Sequence, residues 1–272
     1  MMKKLFPYLG LFLFIMFAVS TAYYLFSLYK ARKYTREVIA FDLKESQWRN
    51  PSGIVRKFEI ISRDLSERQK DILIKVQDPG FYHHNGIDLS TPGAGLTTIT
   101  QAIVKKLYFD NFEPGIAKIK QSLIARFVVN DLITKDDQIT LFINTMYFGN
   151  VEGKSIVGLE SAAHAYYRQP VENLTEEQYI SLIATIIMPG TFHIIDHPEW
   201  NKDRSNRIKA LVAGEYKPKG LMDQFYGELP QDVIENGLPK ASYFGNALKT
   251  PDSKGNTMNN ADSADAKSST TD

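Results

Sequence analysis

Cysteine is absent from this 272-residue chain. That excludes a disulfide framework and any thiolate metal site, and it fits either side of a membrane. An excess of one charge is also lacking: 32 Lys and Arg stand against 31 Asp and Glu, a net charge of +1. Nucleic-acid binding normally shows a basic surplus, so no nucleic acid is expected as a partner. The glycine run Gly93-Ala94-Gly95 is not followed by Gly-Lys-Ser/Thr, which removes a P-loop reading. His193 and His197 have the spacing of a zinc helix, but the Glu after the first His is missing and Pro198 follows at once. No metal site is expected there. Strand-like alternation with hairpin signals is missing too, as is any internal repeat, so the chain reads as mainly α.

The ends are strongly biased. From Leu5 to Tyr29 no residue is charged, and such a run as a helix is roughly 37 Å long, enough to cross a hydrocarbon core of about 30 Å. A cleaved signal peptide is the rival reading, since Lys3 and Lys4 precede the run and Ala18-Val19-Ser20 resembles a cleavage site. The apolar stretch continues past that site through Tyr23, Tyr24, Leu25 and Phe26, which favours an uncleaved anchor. Lys30, Arg32, Lys33 and Arg36 outnumber the lysines before the run, so flanking charge alone places the body in the cytoplasm. Residues 249–272 hold one large apolar residue, Met258, too little to offset ordering entropy, and a disordered tail is expected.

Between the ends, polar caps punctuate apolar runs at helical spacing. Ser66 with Gln69, Thr134 with Asp137 and Thr175 with Gln178 mark three helix starts. Further helices are expected over 97–108, after Pro114-Gly115, over 156–167 and over 200–213. The organisation expected is an anchor over 1–36, a juxtamembrane linker over 37–59, a helical domain over 60–215, an extension over 216–248 and the tail.

Gln77-Asp78-Pro79-Gly80-Phe81-Tyr82-His83-His84-Asn85-Gly86 resembles the first motif of glycosyltransferase family 51, the peptidoglycan glycosyltransferases. Asp78, Phe81, His84 and Gly86 match that motif, and Gln77 stands where it has Glu. Gly95 to Gln101 with Lys105 is similar to the second motif, with Leu96 and Thr97 departing from it; Thr98 and Gln101 match. The third, Arg-Lys-x-x-Glu, aligns with Ala117 to Gln121, where Lys118 is kept and Gln121 replaces the Glu. Phe142 to Gly149, containing Asn144, and Gly158 to Ala163 followed by Tyr166 and Tyr167 resemble two later motifs; Arg207 fits the last.

The resemblance implies a lysozyme-like helical domain with a small membrane-facing jaw around residues 107–116. It places the domain behind one transmembrane helix in the bacterial inner membrane, facing the periplasm or exterior, against the flanking charges. It implies lipid II or a related undecaprenyl-pyrophosphate glycan as ligand, other cell-wall synthesis proteins as partners, and room for a divalent cation beside the pyrophosphate.

Displacing that pyrophosphate with a sugar hydroxyl needs a carboxylate base and cations around the leaving group. The resemblance assigns the base to the position of Gln77 and a second carboxylate to that of Gln121. It assigns binding to Asp78, Phe81, His84, Thr98, Gln101, Lys105, Lys118, Asn144 and Arg207, with Lys106 and Lys120 as extra charge. An amide has no useful basicity, and one lost base costs about 10²- to 10⁴-fold in rate. Three readings follow: a binder without activity, a transglycosylase whose base has moved to Asp88 or Glu113, and a lytic enzyme, which lacks its acid for the same reason.

Overall fold

A computed structural model describes residues 6–237 apart from residue 114; the expected tail over 249–272 lies outside them. The fold is mainly α, as the sequence predicts, with two short antiparallel hairpins.

Helix α1 (Phe6–Tyr34) runs through a π-helical turn (Thr35–Ile39) into α2 (Ala40–Lys44). The rod from Tyr8 to Lys44 has 37 residues and a mean hydropathy of 2.0 in its most apolar stretch. Its length of roughly 55 Å exceeds a bilayer core by some 25 Å, and it passes residue 36, where the sequence reading ends the anchor. The surplus packs on the domain. Ser27, Ala31, Thr35, Ile39 and Asp42, one helical face, are buried, whereas Tyr8 to Val19 expose their apolar side chains. Arg32 Nη1 donates to the Phe127 carbonyl at 2.7 Å. The Asp42 carboxylate accepts from Gln47 Nε2 at 2.8 Å and from Arg49 Nε at 3.2 Å, tying the rod's end to hairpin β1 (Gln47–Arg49) and β2 (Val55–Lys57).

The domain is built from α3 (Glu67–Gln77), α4 (Ile99–Tyr108), α5 (Ile116–Ile124), α6 (Asn130–Leu132) and α7 (Lys135–Thr145). After β3 (Tyr147–Val151) and β4 (Lys154–Val157) come α8 (Leu159–Tyr167), α9 (Glu176–Thr185) and α10 (Pro198–Ala213). The caps read at Ser66, Thr134 and Thr175 all form, Ser66 and Thr175 as reciprocal boxes with Gln69 and Gln178 and Thr134 by accepting from the Asp137 N–H. Thr98 with Gln101 adds a box that the sequence reading did not mark. A second π-helical turn, Ala125–Val129, links α5 to α6.

The helix expected from residue 156 is a correction. Ile156 and Val157 belong to β4, where Val157 pairs with Tyr147 of β3, and the helix begins only at Leu159. Gly158, at φ +100, makes the break, a backbone conformation costly for any other residue. Both hairpins were missed because their strands are three to five residues long, too short for alternation to register.

Candidate functional site

The loop that follows α3 is organised by one carboxylate. Asp78 is fully buried; its Oδ1 lies 2.8 Å from His84 Nε2 and its Oδ2 accepts from the Ile99 N–H at 2.9 Å. It thereby fixes the loop to the N-terminus of α4, where unpaired N–H groups and the helix dipole favour an anion. His84 Nδ1 accepts from the Gly86 N–H at 3.0 Å, so the ring proton resides on Nε2 and points at Asp78. Gly86, at φ +86, passes so close to the second π turn that a Cβ would come within 2.5 Å of the Ala125 carbonyl oxygen. Phe81 is fully buried beneath this loop, with Lys135 Nζ 4.3 Å from its ring centre.

Gln77, half-buried at the end of α3, donates from Nε2 to the Ile183 carbonyl at 3.3 Å. That carbonyl belongs to the last turn of α9, the negative end of the helix. An amide donor suits the position, whereas an ionised Glu would face a carbonyl and a helix C-terminus together. Gln121 is buried on α5, and its Nε2 donates to the Gln101 carbonyl at 2.6 Å while its Oε1 has no partner among the described residues. Thr98 and Gln101 form the cap of α4; Thr98 Oγ1 also donates to the Gly86 carbonyl at 2.9 Å and Gln101 Nε2 to Ser122 Oγ at 2.9 Å. Lys118 Nζ donates to the Leu96 carbonyl at 3.0 Å and to Thr97 Oγ1 at 3.1 Å. The three motifs are thus joined through α3, α4 and α5.

Lys105 and Lys118 form the charged part of this site. Burial, then the neighbouring charges of Lys106 and Lys118, lowers the Lys105 pKa to about 8, and burial also lowers that of Lys118. Every charge that shifts Lys105 is positive, and its Nζ lies 5.3 Å from the Phe112 ring centre. Lys120 is not part of it. Two residues from Lys118 on α5, it leaves the helix on another side and lies over the Phe109 ring, 5.4 Å from the centroid.

The relocated bases fare poorly. Asp88 is buried, which by itself raises its pKa, yet its hydrogen bonding to Ser90 and Thr91 brings the pKa down to about 2. Its Oδ1 accepts from the Ser90 N–H at 2.9 Å, the Ser90 hydroxyl at 3.2 Å and the Thr91 N–H at 3.0 Å, although Oδ2 has no partner among the described residues. A carboxylate so stabilised is a weak base at neutral pH. Glu113 is exposed and accepts from Asn111 Nδ2 at 3.3 Å. Asp78, His84 and Asp88 bring ligand atoms within 4.8 Å of one another. A cation there would break the His84–Asp78 bond and find Nε2 protonated, so these residues do not fit one as they stand.

The remaining residues lie elsewhere. Asn144 is buried scaffolding, accepting from the Glu59 N–H at 2.9 Å and donating to the Ile60 carbonyl at 2.7 Å. Arg207 pairs with Asp203 at 2.8 Å beside Gly227. Tyr166 donates to the Phe148 carbonyl at 2.7 Å and meets His193 Nε2 at 2.8 Å, while His197 stacks on Trp200 at 4.3 Å.

Sequence reasoning missed residues 216–227, which lie back over the site's glycine loop. The N–H groups of Gly93 and Gly95 donate to the carbonyls of Gly220 at 2.9 Å and Leu221 at 2.8 Å. Tyr226 Oη donates to the Val76 carbonyl at 2.9 Å, one residue before Gln77. Buried Arg204 donates to the carbonyls of Ala184 at 3.1 Å and Gln224 at 3.2 Å, and its guanidinium lies 5.2 to 5.6 Å from the rings of Phe192, Phe225 and Tyr226. The one available signal was Phe225-Tyr226 following Pro218 and Gly220.

The profile of the family described as transglycosylase matches residues 52–213. Penicillin-binding protein 1F of Bacillus subtilis is 28% identical over 201 residues, which cover 69% of this chain and 26% of that protein. Penicillin-binding protein 1B of Buchnera aphidicola is 28% identical over 183 residues, covering 62% and 23%. Penicillin-binding protein 1A of Pseudomonas aeruginosa is 25% identical over 213 residues, covering 74% and 24%. The chain spans about a quarter of the length of these curated relatives.

Proposed function

This chain belongs to the transglycosylase family, and from that membership we propose that it acts in cell-wall synthesis as a membrane-anchored binder of lipid II or a similar lipid-pyrophosphate glycan. In this reading α1 crosses the bacterial cytoplasmic membrane once and holds the domain on its outer side. Lys105 and Lys118 receive the pyrophosphate as point charges on one side of the site. The chain then acts as a scaffold or regulator of cell-wall polymerases, with strand synthesis absent or much reduced.

One observation carries the proposal: both glutamines at the positions implied for carboxylates use their amide N–H groups. Gln77 donates to Ile183 and Gln121 to Gln101. An ionised Glu has no donor to offer in either place. Each position therefore makes use of an amide donor. Among the described residues the nearby Asp78 and Asp88 carboxylates are held by hydrogen bonds rather than free to take a proton from a sugar hydroxyl.

Lipid II polymerisation by the purified full chain tests this, with binding to immobilised lipid II read in parallel. Binding with no glycan strands is expected, at least about 10²-fold below a relative that carries the base. Strand synthesis at an ordinary rate would sink the proposal and turn attention to Asp88 and Glu113 as bases. The Gln77→Glu and Gln121→Glu variants, alone and together, report whether the rest of the cleft is competent.

A further inference from the structure

A groove lies between the end of the apolar span and the domain, and neither Gln77 nor Gln121 lines it. Tyr23, Phe26 and Lys30 of α1 form one wall, Leu107 and Tyr108 of α4 the floor, and Lys120 of α5 the other wall. Its volume is about 370 Å³, near the lower end of the range for small-molecule sites, roughly 300 to 1,000 Å³. That holds a headgroup phosphate and the first part of a hydrocarbon chain, not a whole lipid.

Depth and charge indicate the occupant. The uncharged run ends at Tyr29 and Lys30 is the first charge after it, so on the reading that α1 spans the membrane, Lys30 sits at the headgroup layer. Tyr23, Tyr24, Phe26 and Tyr29 stand at the same end of the span, where aromatic side chains favour the interface. Lys30 Nζ lies 4.9 Å from the Phe26 ring centre and Lys120 Nζ 5.4 Å from that of Phe109. Among the described residues neither ammonium forms a salt bridge, and the groove lining contains no carboxylate. Two lysines in a lining otherwise made of apolar and aromatic side chains with Ser27 complement a phosphodiester carrying acyl chains.

We propose that this groove binds an anionic glycerophospholipid of the surrounding membrane, its phosphate between Lys30 and Lys120 and one chain along Tyr23 and Phe26. The lipid fills the gap between anchor and domain and sets the domain's height above the bilayer. The proposal rests on the membrane-spanning reading of α1 but not on the catalytic state of the cleft.

The full chain, reconstituted in nanodiscs of phosphatidylcholine and phosphatidylglycerol at a bulk ratio of about four to one, is released into detergent and its retained lipids are counted by native mass spectrometry. Two lysines near the surface predict phosphatidylglycerol enrichment of roughly 30-fold over bulk. The K30Q/K120Q double variant, with an unchanged melting temperature, returns to the bulk ratio. No enrichment, or equal enrichment in the variant, overturns the proposal. Displacement by inorganic phosphate would make the groove a soluble-anion site, and displacement by equimolar undecaprenyl phosphate would make it part of the substrate path; either overturns it. Alkaline carbonate extraction separates the two readings: a chain that washes off the membrane loses its anchor, whereas one that stays without enriching lipid loses only the groove.

Discussion

At the residue scale the site is defined by what its side chains donate. Gln77 and Gln121 both spend their amide hydrogens on backbone carbonyls, and Asp78 is consumed by His84 and Ile99. On the proposed binding of a pyrophosphate, Lys105 is the group whose titration should report ligand. Burial first, then Lys106 and Lys118, brings its pKa from 10.5 to about 8. Between about pH 8 and 10.5 the unfolded chain keeps a proton that the folded chain has released, so this group makes stability rise with pH across that window. Anion binding runs the other way, because it favours the charged form. Affinity for inorganic pyrophosphate, measured by calorimetry, is expected to be highest below pH 8 and to fall through pH 9. Lys105→Met should weaken binding at pH 7 by roughly tenfold, the lower range for a hydrogen bond to a charged group, and flatten the profile between pH 7 and 9. A pH dependence that survives the substitution would assign it to another group.

At the element scale, two irregular pieces decide how the helices meet. The second π turn, Ala125–Val129, presents the Phe127 carbonyl to Arg32 of α1 and lies against Gly86 of the first motif. The segment over 216–227 locks α3, α9 and α10 together through Arg204, whose lowered pKa, about 10, follows first from burial. Its charge is still present at neutral pH and is satisfied by two carbonyls and three rings without a carboxylate. Arg204→Met strands both carbonyls, so a loss of about 2 to 3 kcal/mol is expected from urea unfolding of the detergent-solubilised protein. Arg204→Lys should recover little, since one ammonium lacks the planar fork that reaches both. Near-complete recovery by Lys would mean that charge, not geometry, holds the segment.

For the whole molecule, one core matters most. It runs without a break from Ala31 and Ile39 of the rod, through Leu73, Ile103 and Ile139, to Val212 and Tyr226. The end of the rod, the domain and the returning segment therefore lack separate cores on which to unfold separately. Heating in detergent, followed by near-ultraviolet circular dichroism, is expected to give one tertiary transition. Two resolved transitions would show that the returning segment or the rod's end detaches first.

Much of this was legible in the sequence because it depends on local pattern. The charge-free run, the helix starts at Ser66, Thr134 and Thr175 and the motif strings around Gln77, Thr98 and Gln121 follow from neighbours within a few residues, and so did the mainly α class. What depends on distant partners was not legible. Whether Asp88 is a base or a buried turn anchor rests on which N–H groups reach it, and whether Lys120 joins Lys118 rests on the direction each takes from α5. The surplus length of the rod was countable, but its docking face was set by α5 and the π turn. Tyr226 meets Val76 from 150 residues away, and no spacing along the chain encodes such a contact. Sequence fixes which groups are present and how each helix begins; only packing decides which of their hydrogen bonds are already taken, and with them whether a side chain is scaffold or site.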